Sequence, residues 1–211
     1  MGKITIGLSA ILAIIIIIFV INSNFTNIIP ENNTSLADKN LNLNSFPNAV
    51  GLHWGHMPLI YEIYNCTDYQ ANRLIRGFAK IENETKGDVS FLRLNNSSQN
   101  KEVDIAVLCR KEYKSAPEPG YTVSGDSGYL TYVNYPNLIA KAEINFYGIS
   151  SSTYSAGCTI YPDIEVHEIL HGFGYGHNES TKSIMYPSHV MCAFKIDDNI
   201  ITDLKEKYGS S

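Results

Sequence analysis

The stretch that decides the fold is HEILHGFGYGH, residues 167–177 of this 211-residue chain. On a helix, His167 and His171 lie four positions apart on one face, so both imidazoles can bind the same metal ion. Glu168 lies beside that face, where its carboxylate can act as a general base on a metal-bound water without being a ligand. Gly174 permits the positive φ of a sharp turn, and such a turn brings His177 to the metal as a third ligand. Three histidine ligands leave one coordination position open, which is typical of a catalytic zinc site.

A second motif follows, SIMYP at residues 183–187, in which Met185 comes eight residues after the third histidine. Together the two motifs resemble those of the matrixin branch of the metzincins. The resemblance implies that Met185 forms an apolar floor beneath the three histidines, a role suited to its flexible, polarizable side chain. It also implies that Tyr186, Pro187 and the residue two positions after the proline line the specificity pocket. His189 occupies that last position, and the sequence leaves open whether it lines the pocket or is simply exposed.

The resemblance covers roughly residues 53–208 and implies an α+β fold. In such a fold a twisted mixed sheet carries two long helices above it, and an irregular lower subdomain ends in a C-terminal helix. A shallow substrate cleft separates the two parts, and a peptide binds in an extended conformation along an edge strand of the sheet. We expect this edge strand at Gly128–Val133 or close to it.

Hydrophobic periodicity gives a compatible set of elements. Residues 139–147 alternate between apolar and polar side chains, as in a half-buried strand. Residues 69–81 have apolar side chains at helical spacing and follow Thr67, which can cap a helix. The strand–helix–strand order at the start of the domain predicts that part of the sheet is parallel. The predicted strands are Leu59–Tyr64, Val89–Leu94, Val103–Leu108, Tyr129–Val133 and Ile139–Tyr147, and the predicted helices are Tyr69–Ile81, Pro162–Gly172 and Asp197–Tyr208.

The N-terminal segment differs in composition from the rest of the chain. Residues 4–21 are almost entirely apolar, and Lys3 precedes them. This length and flanking charge predict an uncleaved transmembrane signal anchor at residues 1–21, with the remainder of the chain outside the cell membrane. A cleaved signal peptide, which would give a secreted protein, is the alternative. Residues 22–52, rich in Asn and Ser, are interpreted as a flexible stalk, and residues 53–211 as the catalytic domain.

Four cysteines lie in the part of the chain that is predicted to be exported. An even number of cysteines in an exported domain favours disulfide bonds, and four cysteines allow three pairings. Cys66 and Cys109 each end a predicted strand, and these strands can be neighbours, so we expect them to form one bond. Cys158 precedes the histidine-bearing helix and Cys192 follows the methionine-containing turn, so we expect these two to form the other.

The formal net charge of −5 gives no basic surface for nucleic acid. We expect a monomer with one catalytic zinc ion. The sequence shows no recognisable set of calcium ligands. Asp126 and Glu143 are interpreted as isolated surface acids. The sequence therefore predicts an endopeptidase that hydrolyses extracellular proteins, with Glu168 activating a zinc-bound water. Two alternatives stay open: a cell-surface binding module that keeps a zinc-stabilised fold, and a zinc hydrolase that acts on non-peptide amides.

Overall fold

The computed structural model describes residues 51–94, 102–112, 114–115, 122–148, 162–188 and 195–209. In chain order its elements are β1 (His53–Trp54), β2 (Leu59–Tyr64), α1 (Asp68–Glu84), β3 (Phe91–Arg93), β4 (Ile105–Arg110), β5 (Lys114–Ser115), β6 (Thr122–Val123), β7 (Gly125–Tyr132), β8 (Tyr135–Tyr147), α2 (Asp163–His171) and α3 (Asp198–Tyr208).

The main sheet is mixed, as the sequence predicts. β2 pairs in parallel with β3 on one side and with β4 on the other, and β4 pairs in parallel with the long strand β8. The short strand β1 also runs parallel to β8, whereas β7 forms an antiparallel hairpin with it. Among the described residues β7 pairs with β8 alone, so it forms an edge of the sheet. β5 and β6 form a separate two-stranded ribbon.

Helix α1 begins with a capping box. The Thr67 hydroxyl accepts a hydrogen bond from the backbone N–H of Gln70, and the Gln70 side chain accepts one from the backbone N–H of Thr67. The buried face of the helix packs on the sheet, where the Phe78 ring stacks on Tyr61 with 3.9 Å between the ring centroids. The periodicity of the sequence thus predicts both the start and the buried face of this helix.

Helix α2 is short and deeply buried: eight of its nine residues are buried. Arg73 of α1, itself fully buried, donates two hydrogen bonds to the Glu165 carboxylate of α2, at 2.7 and 2.9 Å. Its guanidinium also lies 3.7 Å from a carboxylate oxygen of Asp163. The helices approach closely at Gly77, where an added Cβ would lie 3.2 Å from the Cβ of Glu165. A buried ionic contact and a glycine therefore fix α2 against α1.

Helix α3 packs against Trp54 and against the segment that follows α2. The Tyr208 hydroxyl accepts a hydrogen bond from the backbone N–H of Trp54, and the Tyr208 ring packs edge-on against Phe173. The Tyr175 hydroxyl donates to the carboxylate of Asp203 on this helix. These contacts attach the C-terminal helix to the segment that follows α2.

The structure confirms one predicted disulfide bond, between Cys66 and Cys109. It joins the end of β2 to β4, and these strands are neighbours in the sheet. The second predicted pair, Cys158 and Cys192, lies outside the described residues.

The predicted N-terminal anchor and most of the predicted stalk, residues 1–50, also lie outside the described residues. Within the part that the structure describes, no helix is long and apolar enough to span a membrane.

The predicted bounds of two strands, β7 and β8, are wrong. The predicted short strand Tyr129–Val133 is in fact β7, which starts four residues earlier, at Gly125, and ends at Tyr132. β8 likewise begins at Tyr135, because the hairpin with β7 continues the strand beyond its alternating segment.

Asp126 and Glu143 are not isolated acids. Asp126 pairs with Lys114 and accepts a hydrogen bond from the Tyr147 hydroxyl at 3.1 Å. Glu143 accepts one from the Asn145 side-chain amide at 3.0 Å. The two partners of Asp126 lie 12 and 21 residues away in sequence, so that reasoning from single residues could not anticipate them.

Candidate metal centre and active site

Helix α2 and the turn after it bring the three predicted histidines together. His167 and His171 lie one helical turn apart on α2, and the helix ends at His171. Gly174 then adopts a φ of +86°, as the sequence predicts, and a Cβ at this position would lie 2.9 Å from a Leu52 methyl carbon. The reversal returns His177 to the other two, so that its Nε2 lies 3.2 Å from the Nε2 of His171.

Backbone carbonyl groups orient two of these imidazoles. The Nδ1–H of His167 donates to the carbonyl oxygen of Ile184 at 2.7 Å, and the Nδ1–H of His171 donates to that of Tyr175 at 2.6 Å. Since a carbonyl oxygen only accepts, each Nδ1 carries the hydrogen and each Nε2 carries the lone pair. These two lone-pair nitrogens stand 3.0 Å apart.

Burial keeps His171 in the form that binds a metal. Burial and the charge of His177 lower the pKa of His171 to about 3, so its imidazole is neutral at ordinary pH. Two neutral nitrogens whose lone pairs face each other at 3.0 Å repel unless a cation lies between them.

The donor set fits zinc. Ligands about 2.0–2.1 Å from a tetrahedral zinc ion stand about 3.3–3.4 Å from each other, which is close to the observed nitrogen separations of 3.0 and 3.2 Å. Among the described residues, His167, His171 and His177 form the one group of three or more candidate ligands that could hold a metal. Zinc accepts three neutral imidazoles readily, and oxygen-seeking cations such as calcium do not.

The methionine-containing turn is hydrogen-bonded to the segments that carry the histidines. Met185 is fully buried, and its carbonyl oxygen accepts a hydrogen bond from the backbone N–H of Asn178, the residue after His177, at 2.8 Å. The Asp197 carboxylate accepts from the backbone N–H of Ile184 at 3.1 Å. Because the carbonyl of Ile184 orients His167, this turn is tied both to the first histidine and to the residue after the third.

Glu168 is held by β7. Its Oε2 accepts a hydrogen bond from the Ser127 hydroxyl at 2.8 Å. Its Oε1 faces the backbone of Gly125, where an added Cβ would lie only 2.7 Å away. Burial raises the pKa of Glu168 to about 8, the charge of Asp126 adds to this, and the Ser127 hydrogen bond acts in the opposite direction. The carboxylate is thus poised to take up a proton near neutral pH, and a bound cation would favour its ionised form.

The family model of the matrixins matches residues 53–209 of this chain. The chain belongs to the matrixin family. A relative, macrophage metalloelastase from Rattus norvegicus, is 26% identical over 162 aligned residues, and the match covers 74% of this chain and 34% of the relative. This matrixin thus spans about a third of that relative's length. Membership of the family supports a zinc metalloprotease in general, and the histidine group is placed to bind the metal.

The predicted specificity-pocket residues are described only in part. Tyr186 is half-buried and Pro187 is exposed at the end of the methionine-containing turn. His189 lies outside the described residues. The role of all three in a matrixin pocket stays a prediction.

Sequence reasoning missed two residues that contact the predicted base, Gly125 and Ser127. They lie in the segment GDSG, residues 125–128, whose glycines are typical of a loop and hide the start of β7. A single serine and a single glycine carry no motif. Only the folded structure shows that residues 125 and 127 lie on the face of β7 that contacts Glu168 of α2.

Proposed function

We propose that this matrixin is a zinc-dependent endopeptidase that cleaves extracellular proteins, with His167, His171 and His177 as zinc ligands and Glu168 as the general base. One observation carries the proposal: the Nε2 of His171 lies 3.0 Å from that of His167 and 3.2 Å from that of His177, and the buried carboxylate of Glu168 lies on the helix that carries His167 and His171. Zinc bound there would lower the pKa of water and polarise the scissile carbonyl group.

The residues of the chain then have distinct tasks. Glu168 accepts a proton from the attacking water on a carboxylate oxygen and transfers it to the leaving amine. Burial of this side chain, which is 4% exposed, excludes competing solvent from the carboxylate. Met185 supports the histidines as a buried apolar residue, and the Tyr186–Pro187 segment contributes a wall of the substrate pocket.

Substrate binding is assigned to β7. Its outer backbone edge is not paired with another described strand, so an extended peptide can add to the sheet through main-chain hydrogen bonds. Ser127 connects this strand directly to Glu168. A peptide bound along β7 is therefore delivered to the base and the histidine group together.

We also propose that residues 1–21 anchor the protein in the cell membrane and that the catalytic domain lies outside. Lys3 and the apolar segment after it support this orientation. Protease treatment of intact cells should release a fragment that contains the catalytic domain. A native protein whose N-terminus lies within residues 22–52 would instead identify a cleaved signal and a secreted enzyme.

The decisive experiment compares four forms of the detergent-purified full-length chain: wild type, Glu168→Ala, His171→Ala and the control Glu206→Ala. Wild type and the Glu206→Ala control should digest casein or gelatin, and a chelator should abolish the digestion. Glu168→Ala should keep its zinc but lose at least about 10²-fold in kcat, since the proton transfer belongs to the transition state. His171→Ala should lose zinc.

Other results would support a different function. Wild-type protein that binds zinc and cleaves neither protein would favour a binding module. Zinc-dependent hydrolysis of small amides without proteolysis would favour a non-peptide hydrolase. Full proteolysis by Glu168→Ala would rule out the assigned base.

A further inference from the structure

The Ser127 hydroxyl makes two contacts with the same residue of α2. Its Oγ lies 2.8 Å from Oε2 of Glu168 and 2.9 Å from the backbone carbonyl oxygen of Glu168. A hydroxyl has one hydrogen to donate, and an ionised carboxylate accepts a stronger hydrogen bond than a neutral carbonyl does. When Glu168 is ionised, the hydrogen of Ser127 therefore favours the side chain over the backbone.

Gly125 constrains the other carboxylate oxygen. It lies two residues before Ser127, on the same face of β7, and a Cβ there would lie 2.7 Å from Oε1 and 2.8 Å from Cγ of Glu168. A glutamate side chain has three rotatable bonds and ordinarily samples many rotamers. Here one oxygen is hydrogen-bonded and the other packs against backbone, so the carboxylate is held in one orientation.

We propose that Ser127 is a positioning residue for the reaction: it fixes the Glu168 carboxylate in the orientation from which it accepts the proton of the attacking water. This inference rests on the proposed function, and Ser127 acts only through Glu168. The edge strand that we assign to substrate binding thereby also sets the geometry of the base. A base held in place before the reaction avoids reorganisation in the transition state.

A purely structural role makes a different prediction. If Ser127 served only to tie β7 to α2 through the Glu168 carbonyl, its loss would lower stability equally whether or not residue 168 carries a carboxylate. The positioning role instead requires that the effect of Ser127 depend on the side chain of Glu168. This dependence can be measured with double mutants.

The kinetic experiment uses the full-length zinc-loaded protein and a peptide substrate cut by the wild type. Ser127→Ala should lower kcat about tenfold, as expected for losing a hydrogen bond to a charged group, with KM within about twofold. Ser127→Thr keeps the hydroxyl and should recover most of kcat. The matched control is Thr202→Ala, which removes a hydroxyl bonded to the Asp198 carbonyl on the exposed face of α3, and it should leave both constants unchanged.

A second measurement is independent of turnover. In the metal-free protein at about pH 9, where Glu168 is ionised, the urea midpoint lost on Ser127→Ala should be larger in the wild-type background than in the Glu168→Ala background, where only the backbone contact remains. If wild type lacks protease activity, the kinetic arm fails with the proposed function, while the urea cycle still reports whether hydroxyl and carboxylate interact. Equal midpoint losses in both backgrounds, or a Ser127→Ala enzyme with undiminished kcat, would overturn the inference.

Discussion

The backbone of Gly125 restricts the position of the Glu168 carboxylate through close steric contact. The absence of a Cβ lets the strand backbone approach the carboxylate to a distance that no other residue type allows. The backbone of Gly125 has no positive φ, so alanine fits the strand itself and only the contact with Glu168 opposes it. The position thus allows a test of the base that leaves every ligand intact.

Gly125→Ala should reduce kcat by at least about tenfold while the protein keeps its zinc, because the new methyl group displaces the Glu168 carboxylate. Steady-state kinetics and metal analysis measure the two effects. Gly128→Ala is the matched control, since a Cβ there meets nothing within 4 Å. A Gly125→Ala variant with the kcat of the wild type would show that Glu168 adapts without loss.

Asp163 gives the stability a characteristic pH dependence. Burial raises its pKa from 3.8 to about 6, with the Glu165 charge adding and the Ile164 N–H and Arg73 opposing. The folded state therefore binds the proton more tightly than the unfolded state does. The free energy of unfolding falls as the pH rises from about 4 to about 6, because Asp163 becomes charged in the core. This penalty on stability is complete above that range.

Asp163→Asn removes this penalty and should be more stable than wild type at pH 7, by on the order of 2 kcal/mol. At pH 4 the difference should be much smaller, because the wild-type carboxyl is then protonated in the folded state. Urea unfolding of the metal-free proteins at both pH values measures it, and comparing the two proteins at each pH cancels other titrations. A pH-independent difference would contradict the assignment to Asp163.

At the scale of elements, α2 depends on a charge pair within the core. Arg73 and Glu165 are almost completely excluded from solvent, and their two hydrogen bonds join α1 to the helix that carries two of the candidate ligands. Each charge alone would be costly to bury, so the pair specifies the docking of α2 more than it stabilises the protein.

Arg73→Met should lower the free energy of unfolding by about 3–5 kcal/mol, because it leaves the Glu165 carboxylate buried without its guanidinium partner. The double variant Arg73→Met/Glu165→Met should recover most of this loss. Chemical denaturation of the single and double variants measures both values. A double variant as unstable as Arg73→Met would contradict a penalty that arises from the unpaired Glu165 carboxylate.

The Cys66–Cys109 bond is a second restraint between elements and closes a segment of 43 residues. Replacing both cysteines by alanine should lower the free energy of unfolding by about 2–4 kcal/mol, chiefly because the unfolded chain gains freedom. Denaturation with and without reductant checks this: reductant should destabilise the wild type more than the double variant, in which only the predicted Cys158–Cys192 bond is left to reduce. An equal response of both proteins would contradict the prediction.

Most elements were predictable because their signals are local. β2 matches its predicted bounds, and α1 and α3 begin within one residue of theirs, since capping residues and periodicity mark them directly. The zinc motif was predictable for the same reason, because a fixed spacing on one helix and one turn defines it. β1, β5, β6 and the first half of β7 were not, since two-residue strands and a glycine-rich start exist only through pairing with distant partners.

At the scale of the whole molecule, the histidine group gathers contacts from separate parts of the chain. The carbonyl of Ile184 in the methionine-containing turn orients His167, and that of Tyr175 orients His171. Tyr175 is bonded through its hydroxyl to Asp203 on α3. Metal binding should therefore stabilise the folded domain as a whole.

Removal of zinc should lower the melting temperature reversibly. A ligand that binds only the folded state stabilises it by about 2.7 kcal/mol at one hundred times its dissociation constant. Thermal unfolding with chelator and after zinc is restored measures the effect. His171→Ala should have the same melting temperature with chelator and with zinc. A wild type whose melting temperature was also the same in the two conditions would argue against a shared metal site.

The edge strand β7 divides into two halves that differ in mutational tolerance. Gly125 and Ser127 contact Glu168, so substitutions there that change substrate fit also disturb the base. Further along, Leu130 and Tyr132 are 42% and 52% exposed, and Val133 in the hairpin turn is 97% exposed. New substrate preferences are therefore most accessible to evolution at the hairpin end. A combinatorial library that varies residues 130–135 and keeps 125–127 fixed should yield more active clones than the reverse.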